Sequence, residues 1–359
     1  MATIPLARPL AATRRRAAQS NGVKSFVVTF VTVAILAAFL SPLLRVGITA
    51  FKTDEQVTEP GAPMWPARPE SFSYQGEEYD LYEVPTEDGL QRWALYEKGR
   101  QESLFLDPAD PAAGPIAWQG SWRTLERAWV WAPAWDNFSQ VWELIDYPRL
   151  LFNTFALAVL SSIGVLTSCI LVAYGFARFR IPGKNILFLL LISTIFLPAA
   201  VTLIPTYTAF VKLGWVGTWL PLIVPTFFAN AYDVFLLRQF FLTIPREMDE
   251  AAMIDGASPF RVLTAVILPQ SWPAVIAVTL FHFVYSWNDF FGPLIYLSTR
   301  QDLQPISVGL ARFNGIYGNE PTLIQAGTLM TLIVPVLLFI FAQRFLLQGV
   351  VLTGTGVEK

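Results

Sequence analysis

The sequence predicts an all-α membrane protein with six transmembrane helices and a small β-rich extracytoplasmic insertion between the first two. Of the 359 residues, 54% are hydrophobic and only 14% are charged, whereas a soluble domain carries about 25% charged residues. The hydrophobic residues also form runs long enough to cross a hydrocarbon core, which takes about 20 residues in a helix. These two observations exclude a freely soluble chain and a disordered one.

Six apolar runs are the candidate spans. Their predicted bounds are residues 25–51, 150–177, 185–210, 219–241, 272–297 and 323–343. Pro198, Pro205 and Pro335 lie inside them, which indicates a packed bundle whose neighbouring helices satisfy the freed carbonyl groups. The first run is longer than the apolar part of a signal peptide and lacks a clear cleavage site, so we interpret it as a retained helix.

The basic residues predict the orientation, because short loops rich in Lys and Arg stay in the cytoplasm. The N-terminal tail, residues 1–24, holds five basic residues and no acidic one, and the short loop after the second span is also basic. Residues 52–149 instead hold 8 basic and 18 acidic residues. We therefore expect both the N-terminal tail and the C-terminal tail, residues 346–359, to be cytoplasmic.

The insertion, residues 52–148, is expected to fold. It contains eight of the 12 Trp residues, and apolar and polar residues alternate over 72–74, 79–84 and 91–97, with a turn cluster at 85–89. Such alternation predicts strands. The subdomain either binds a partner or only covers helix ends, and the residues leave both roles open.

The cytoplasmic loop 245–269 has the clearest local signals. Pro245 suits the first position of a helix, and Gly256 suits its C-terminal end, where the left-handed conformation favours glycine. Ser258-Pro259 suits the start of a second short helix, which is expected to end before Pro269. Helix, tight corner and helix predict a compact protrusion, although on the residues alone an ordinary helical loop is an equally good interpretation.

Glu250-Ala251-Ala252, Gly256 and Ile267-Leu268-Pro269 resemble the EAA loop of ATP-binding-cassette (ABC) importer permeases. Residues 245–249, 255–258 and 285–290 resemble the carbohydrate-uptake (maltose-type) branch of these permeases, and its second permease in particular. The resemblance runs from about residue 150 to the C-terminus. The insertion is longer than this family leads us to expect, and the tail lacks the usual final Gly.

The resemblance implies the type I ABC importer permease fold, with a permease core at residues 149–345. It implies a non-catalytic, multi-pass subunit of the cell membrane that needs no cofactor. The ATPase-coupling residues that it implies are Glu250, Ala251, Ala252, Asp255, Gly256 and Pro269.

The partners that the resemblance implies are a second permease subunit, two ATP-binding-cassette ATPase subunits and an extracytoplasmic sugar-binding protein. The lipid bilayer is a further partner, and no nucleic acid is expected. The sequence itself contains no G-x-x-x-x-G-K-[ST] motif, so the chain cannot bind ATP in the P-loop manner. The predicted function is half of a carbohydrate path, driven by a partner ATPase.

A polar and aromatic group in the fifth span is the candidate substrate path. Tyr285, Asn288 and Asp289 are spaced i, i+3 and i+4, so they share a face of a helix, and their groups suit sugar hydroxyls and ring faces. Trp287 is expected to point away and pack. Alternatively, Asn288 and Asp289 cap a break in the helix.

Other singular residues receive structural interpretations. Asp233 and Arg238 are expected to form a pair, His282 to form hydrogen bonds inside the bundle, and Cys169 to act as a small apolar residue. With one Cys and one His in the chain, no metal site of these ligands is expected.

Two other functions were weighed. A proton- or ion-coupled secondary transporter is disfavoured because the two halves show no repeated pattern of broken helices and the cytoplasmic protrusion would lack a role. An intramembrane enzyme is disfavoured because neither H-E-x-x-H nor G-x-S-x-G occurs.

Overall fold

The computed structural model describes residues 11–86, 89–315 and 320–354, without the side chains of 11–23, 199 and 345–354. Residues 1–10 of the predicted N-terminal tail, 87–88 of the turn cluster and 355–359 of the C-terminal tail lie outside the described residues. The chain divides into two compact units, residues 1–133 and 134–359.

The first unit contains two helices and all eight strands of the described chain. The helices are α1 (Ala11–Ala50) and α2 (Asp54–Thr58). The strands are β1 (Ala67–Pro69), β2 (Ser71–Tyr74), β3 (Glu77–Thr86), β4 (Gly89–Glu97), β5 (Glu102–Leu106), β6 (Ile116–Gln119), β7 (Glu126–Arg127) and β8 (Trp129–Trp131).

The second unit is helical. Its helices are α3 (Asp136–Leu144), α4 (Tyr147–Arg178), α5 (Lys184–Ser193), α6 (Ala199–Lys212), α7 (Leu220–Ile223), α8 (Ala231–Thr243), α9 (Arg246–Ile254), α10 (Pro259–Val262), α11 (Leu268–Gln270), α12 (Trp272–Trp287), α13 (Phe291–Tyr296), α14 (Ile306–Leu310) and α15 (Pro321–Gly354).

The strands form an antiparallel sheet in the order β2-β3-β4-β5-β6, with β7 added on β3, and a separate β1-β8 ribbon. The three predicted strands correspond to β2, β3 and β4, so the alternation predicted them correctly. The predicted turn at 85–89 is shorter than expected, because β3 continues to Thr86, which pairs with Gly89. Leu81 and Tyr82 belong to different buried clusters, so both faces of the sheet carry a small core.

Four helical segments are long and apolar enough to cross a membrane among the described residues, and up to six if two bent pairs each count as one span. The four are Lys24–Ala50, Tyr147–Arg178, Leu220–Thr243 and Pro321–Arg344. The multi-pass helical character predicted from the sequence is therefore confirmed.

Three predicted spans are not single straight helices. The third bends by 98° between Lys184–Phe196 and Ala200–Lys212, because Pro198 has no N–H and forces the preceding backbone into an extended conformation. The fourth is broken at Ala229, whose φ is +59°. The fifth ends as a helix at Trp287 and resumes in α13.

Helix α4 organises the second unit. It contributes Val165, Cys169 and Ala173 to a buried apolar cluster shared with α8, α10 and α12. Cys169 is fully buried there, which confirms its interpretation as a small apolar residue. The cluster extends from the bundle to the loop 245–269, whose Ala252 and Ala257 pack against it.

Candidate functional site

The loop 245–269 begins with α9, which ends in a tightly capped corner. Gly256 has a φ of +83°, in the left-handed region. Its N–H donates to the Met253 carbonyl at 3.0 Å, and the Ala257 N–H donates to the Ala252 carbonyl at 2.9 Å. These two bonds form a Schellman motif, and the predicted glycine corner is present. Pro245 is the residue before the helix rather than its first residue.

The second half of the loop begins as predicted and ends differently. The Ser258 side chain accepts from the Arg261 N–H at 3.4 Å and caps α10. The prediction that this helix ends before Pro269 is wrong, because a π-helical stretch, Leu263–Ile267, leads directly into α11, which contains Pro269. Pro269 has no N–H to donate, and the wider π turn before it accommodates the missing hydrogen bond.

An ion pair that the sequence did not predict anchors the loop to α4. The Nε atom of Arg178 lies 2.7 Å from Oδ2 of Asp249, and the two side chains are only 7% and 9% exposed. The same guanidinium donates from Nη2 to the Ile244 carbonyl at 2.9 Å. Tyr174, one turn earlier on α4, donates to the Pro259 carbonyl at 3.0 Å. Burial raises the pKa of the Asp249 carboxyl, and the charge of Arg178 opposes that shift.

The outer face of the loop is apolar and exposed. Met248, Met253, Ile254 and Phe260 point outward, with Ile254 86% exposed. Exposed apolar side chains gathered in this way mark an interaction surface. The predicted coupling residues Glu250, Ala251, Asp255, Gly256 and Pro269 are also exposed, whereas Ala252 is half-buried. Glu250 lines a cleft of about 260 Å³ between α9 and the end of α4.

A polar stripe on α12 lines two adjoining cavities of about 530 and 60 Å³. His282, Tyr285 and Ser286 are spaced i, i+3 and i+4 and lie on one side of α12, and Asp289, just beyond the end of the helix, also lines the smaller cavity. The polar lining also includes Ser161, Thr226, Asn230, Tyr232 and Asp233. The spacing was visible in the sequence, but the prediction used only part of it.

The predicted path residues have different positions. Tyr285 is 73% exposed and lines both cavities. Asp289 lines the smaller one, and its Oδ1 accepts from the Gly292 N–H at 3.2 Å, so it also caps the helix break. The exposed Asn288 lies beyond the end of α12 and donates from Nδ2 to the Val284 carbonyl at 2.8 Å. The residues that line the two cavities do not include Asn288.

Trp287 packs as expected. It is 2% exposed and stacks on Phe283, with ring centroids 5.6 Å apart.

Two structural interpretations from the sequence are wrong. Asp233 bonds with Asn230, which caps α8, and Arg238 instead donates to the Phe176 carbonyl and lies over the Phe188 ring. These two residues therefore do not form the expected pair. His282 does not form the expected hydrogen bond through Nε2, which is buried without a partner.

The comparison with protein families assigns the helical part of the chain. The profile of the family described as "Binding-protein-dependent transport system inner membrane component" matches residues 164–350, more than half of the chain. The chain belongs to this family. It is therefore an inner-membrane, multi-pass permease component, which confirms the resemblance drawn from the EAA loop.

Two relatives show the same relationship over a longer stretch. The osmoprotective compounds uptake permease protein GgtD of Synechocystis sp. is 29% identical over 262 residues, which cover 72% of this chain and 86% of the relative. The sn-glycerol-3-phosphate transport system permease protein UgpE of Rhizobium meliloti is 34% identical over 211 residues, covering 58% and 74% of the two chains.

A solved structure extends the likeness to the fold. A chain from the crystal structure of a bacterial ABC transporter involved in the import of the acidic polysaccharide alginate superposes with a TM-score of 0.64 at 17% identity. The match covers 90% of this chain and 97% of the other. This permease therefore has the type I ABC importer permease fold, and such permeases work with ATPase subunits and a substrate-binding protein.

Proposed function

We propose that this permease is one subunit of an ATP-driven carbohydrate importer. It forms half of the translocation path and is coupled to partner ATPases through the loop 245–269. The remaining partners are a second permease and an extracytoplasmic sugar-binding protein. The names of the relatives above refer to osmoprotective compounds and to sn-glycerol-3-phosphate, which supports uptake of a small polar organic solute.

The observation that carries the coupling proposal is the anchored loop. Its inner side is joined to α4 by the buried pair of Arg178 and Asp249, and its outer side exposes apolar residues such as Ile254. A rigid attachment on one side and an apolar contact surface on the other allow a moving partner to displace α4. That displacement is the step that converts ATPase closure into movement of the helix bundle.

The proposed topology has six spans, cytoplasmic termini and an exported insertion at residues 52–148. Single cysteines labelled from outside with a membrane-impermeant maleimide test it. Ser73→Cys and Ala113→Cys are suitable because both residues are exposed, whereas Gly76 and Gly114 have positive φ values that disfavour a side chain. We expect labelling at both positions and none at Arg16→Cys or Glu358→Cys. The reverse pattern contradicts the orientation.

The energy source separates this proposal from a proton- or ion-coupled secondary transporter. The importer is reconstituted into vesicles with its ATPases and binding protein. It should transport sugar only when ATP is present on the side of the membrane that holds the ATPases. A proton uncoupler should leave the initial uptake rate unchanged. Uptake that needs an ion gradient and ignores ATP contradicts the proposal.

A further inference from the structure

The side chains that line the cavities beside α12 are poorly suited to an anion, because acidic residues outnumber basic ones among them. Their charged lining residues are Asp233 and Asp289, and His282 is the one basic residue among those that line them. The uncharged polar lining residues are Ser161, Thr226, Asn230, Tyr232, Tyr285 and Ser286. The lining offers many hydrogen-bond acceptors and no Lys or Arg.

Three arginines of the second unit are engaged in other contacts. Arg238 lies over the Phe188 ring at 4.2 Å, Arg300 pairs with Asp302 at 2.8 Å, and Arg312 donates to the Gln304 side chain at 2.7 Å. None of these three guanidinium groups lines either cavity. Among the described residues, a phosphate or carboxylate in either cavity would therefore find no guanidinium partner, and guanidinium is the group best suited to bind such anions.

Both carboxyl groups retain the capacity to accept further hydrogen bonds. Asp233 is only 5% exposed, and its side chain accepts from the Asn230 amide. Asp289 accepts one backbone N–H through Oδ1. Each carboxylate has about four lone-pair sites, so several remain for the hydroxyl groups of a ligand.

We propose that the substrate moved past these residues is an uncharged polyhydroxyl compound, and that this half of the path disfavours phosphorylated and uronic sugars. The inference rests on the proposed function and adds the charge class of the substrate. Two unit charges about 8 Å apart in an effective dielectric of about 20 change a rate or affinity by roughly 10- to 30-fold. The carboxyl groups thus supply charge selection in addition to hydrogen bonds.

The test measures the electrostatics of the cavities directly, because a binding protein also selects the transported substrate. In the complete importer with cysteine-free partners and Cys169→Ala, a cysteine is introduced as Tyr285→Cys. Its reaction rates with a cationic trimethylammonium-ethyl and an anionic sulfonato-ethyl methanethiosulfonate are compared. Ser298→Cys, at an exposed residue outside the lining sets, gives the reference ratio of the two rates.

We expect the cationic reagent to react about tenfold faster at position 285 relative to the reference. Adding Asp289→Asn should reduce that excess about threefold or more, while the retained amide oxygen still accepts from Gly292. A cationic-to-anionic rate ratio at position 285 that is equal to or smaller than the reference ratio overturns the inference.

Uptake of matched pairs gives the second readout: glycerol against sn-glycerol 3-phosphate, and galactose against galacturonate. We expect at least a tenfold preference for the neutral member of the pair that is transported. ATP-driven uptake that favours the anion overturns this inference alone. Absence of any ATP-driven carbohydrate uptake contradicts the proposed function, and the labelling ratio still tests the charge of the cavities.

Discussion

At the loop 245–269 the buried ionic side chains pair with each other and with the backbone, whereas along α12 several polar side chains line cavities. Arg178 contacts both Asp249 and the Ile244 carbonyl. His282 and Tyr285 instead line the larger cavity, and the Tyr285 side chain is 73% exposed. The segment proposed to transmit force gains rigidity from this pairing, whereas the segment proposed to bind a passing ligand presents polar groups to a cavity.

The largest expected effect comes from breaking the anchor of the loop. Arg178→Ala leaves the Asp249 carboxylate buried without its partner, which costs about 3–5 kcal/mol when a buried ion pair loses one member. We expect the permease to lose both co-purification with its ATPases and sugar uptake. Thermal unfolding of the purified protein measures the stability change.

The matched control replaces both members of the pair. Arg178→Met combined with Asp249→Leu removes the buried charges together, so most of the stability should return. Wild-type melting and uptake in Arg178→Ala alone contradict a structural anchor.

The next effect concerns the corner of the loop. Gly256→Val imposes strain of roughly 1–2 kcal/mol in the left-handed conformation, and a Cβ there meets no atom within 4 Å. The protein should therefore reach the membrane and fail to drive uptake. Gly214→Val is the control, because Gly214 has a φ of +69° and equally open surroundings but lies in another turn. Equal losses of ATPase association in the two variants would show that general backbone strain, and not the loop corner, causes the effect.

A smaller effect is expected at the exposed acid of the motif. Glu250→Ala removes one charge from the proposed ATPase contact, so association should weaken several-fold and more strongly at low salt. Glu247→Ala, on the same helix and also exposed, is the comparison. Pull-down of the ATPase across a salt series measures both. If both variants retain the ATPase equally across the salt series, Glu250 has no specific part in the contact.

The smallest effect is expected along α12, where single hydrogen bonds of about 1 kcal/mol are involved. Asp289→Asn should change the apparent sugar affinity by about three- to tenfold, with ATPase coupling retained. Asn288→Ala should leave it unchanged, because the Asn288 amide contacts the Val284 carbonyl and does not line the cavities. An equal change of apparent sugar affinity in the two variants would show that Asn288 also belongs to the substrate path.

The parts that sequence analysis predicted well are governed by local geometry. The Gly256 corner, the Ser258 cap and the strands β2 to β4 each follow from a few neighbouring residues. Their backbone preferences act over three to six positions, and no distant contact overrides them.

The parts that it missed depend on distant contacts or on helix ends. Arg178 and Asp249 meet because α4 and α9 pack together, and neither local sequence contains a signal that predicts the pair. Asn288 was assigned to the path on the assumption of a continuous helix, but α12 ends at Trp287. The Asp233–Arg238 pair failed because Asn230 caps α8 and takes the carboxylate.

The order of strands in the first unit has a consequence for biogenesis. From β2 to β6 every strand pairs with its neighbour in the chain, so these pairings close short loops and form rapidly. Only the β3–β7 and β1–β8 pairings join distant segments. The five-stranded meander is therefore complete once Gln119 has been synthesised. Strands β7 and β8 also precede α4 in the chain, so every strand of the sheet and the ribbon is available to the nascent chain before its second long helix.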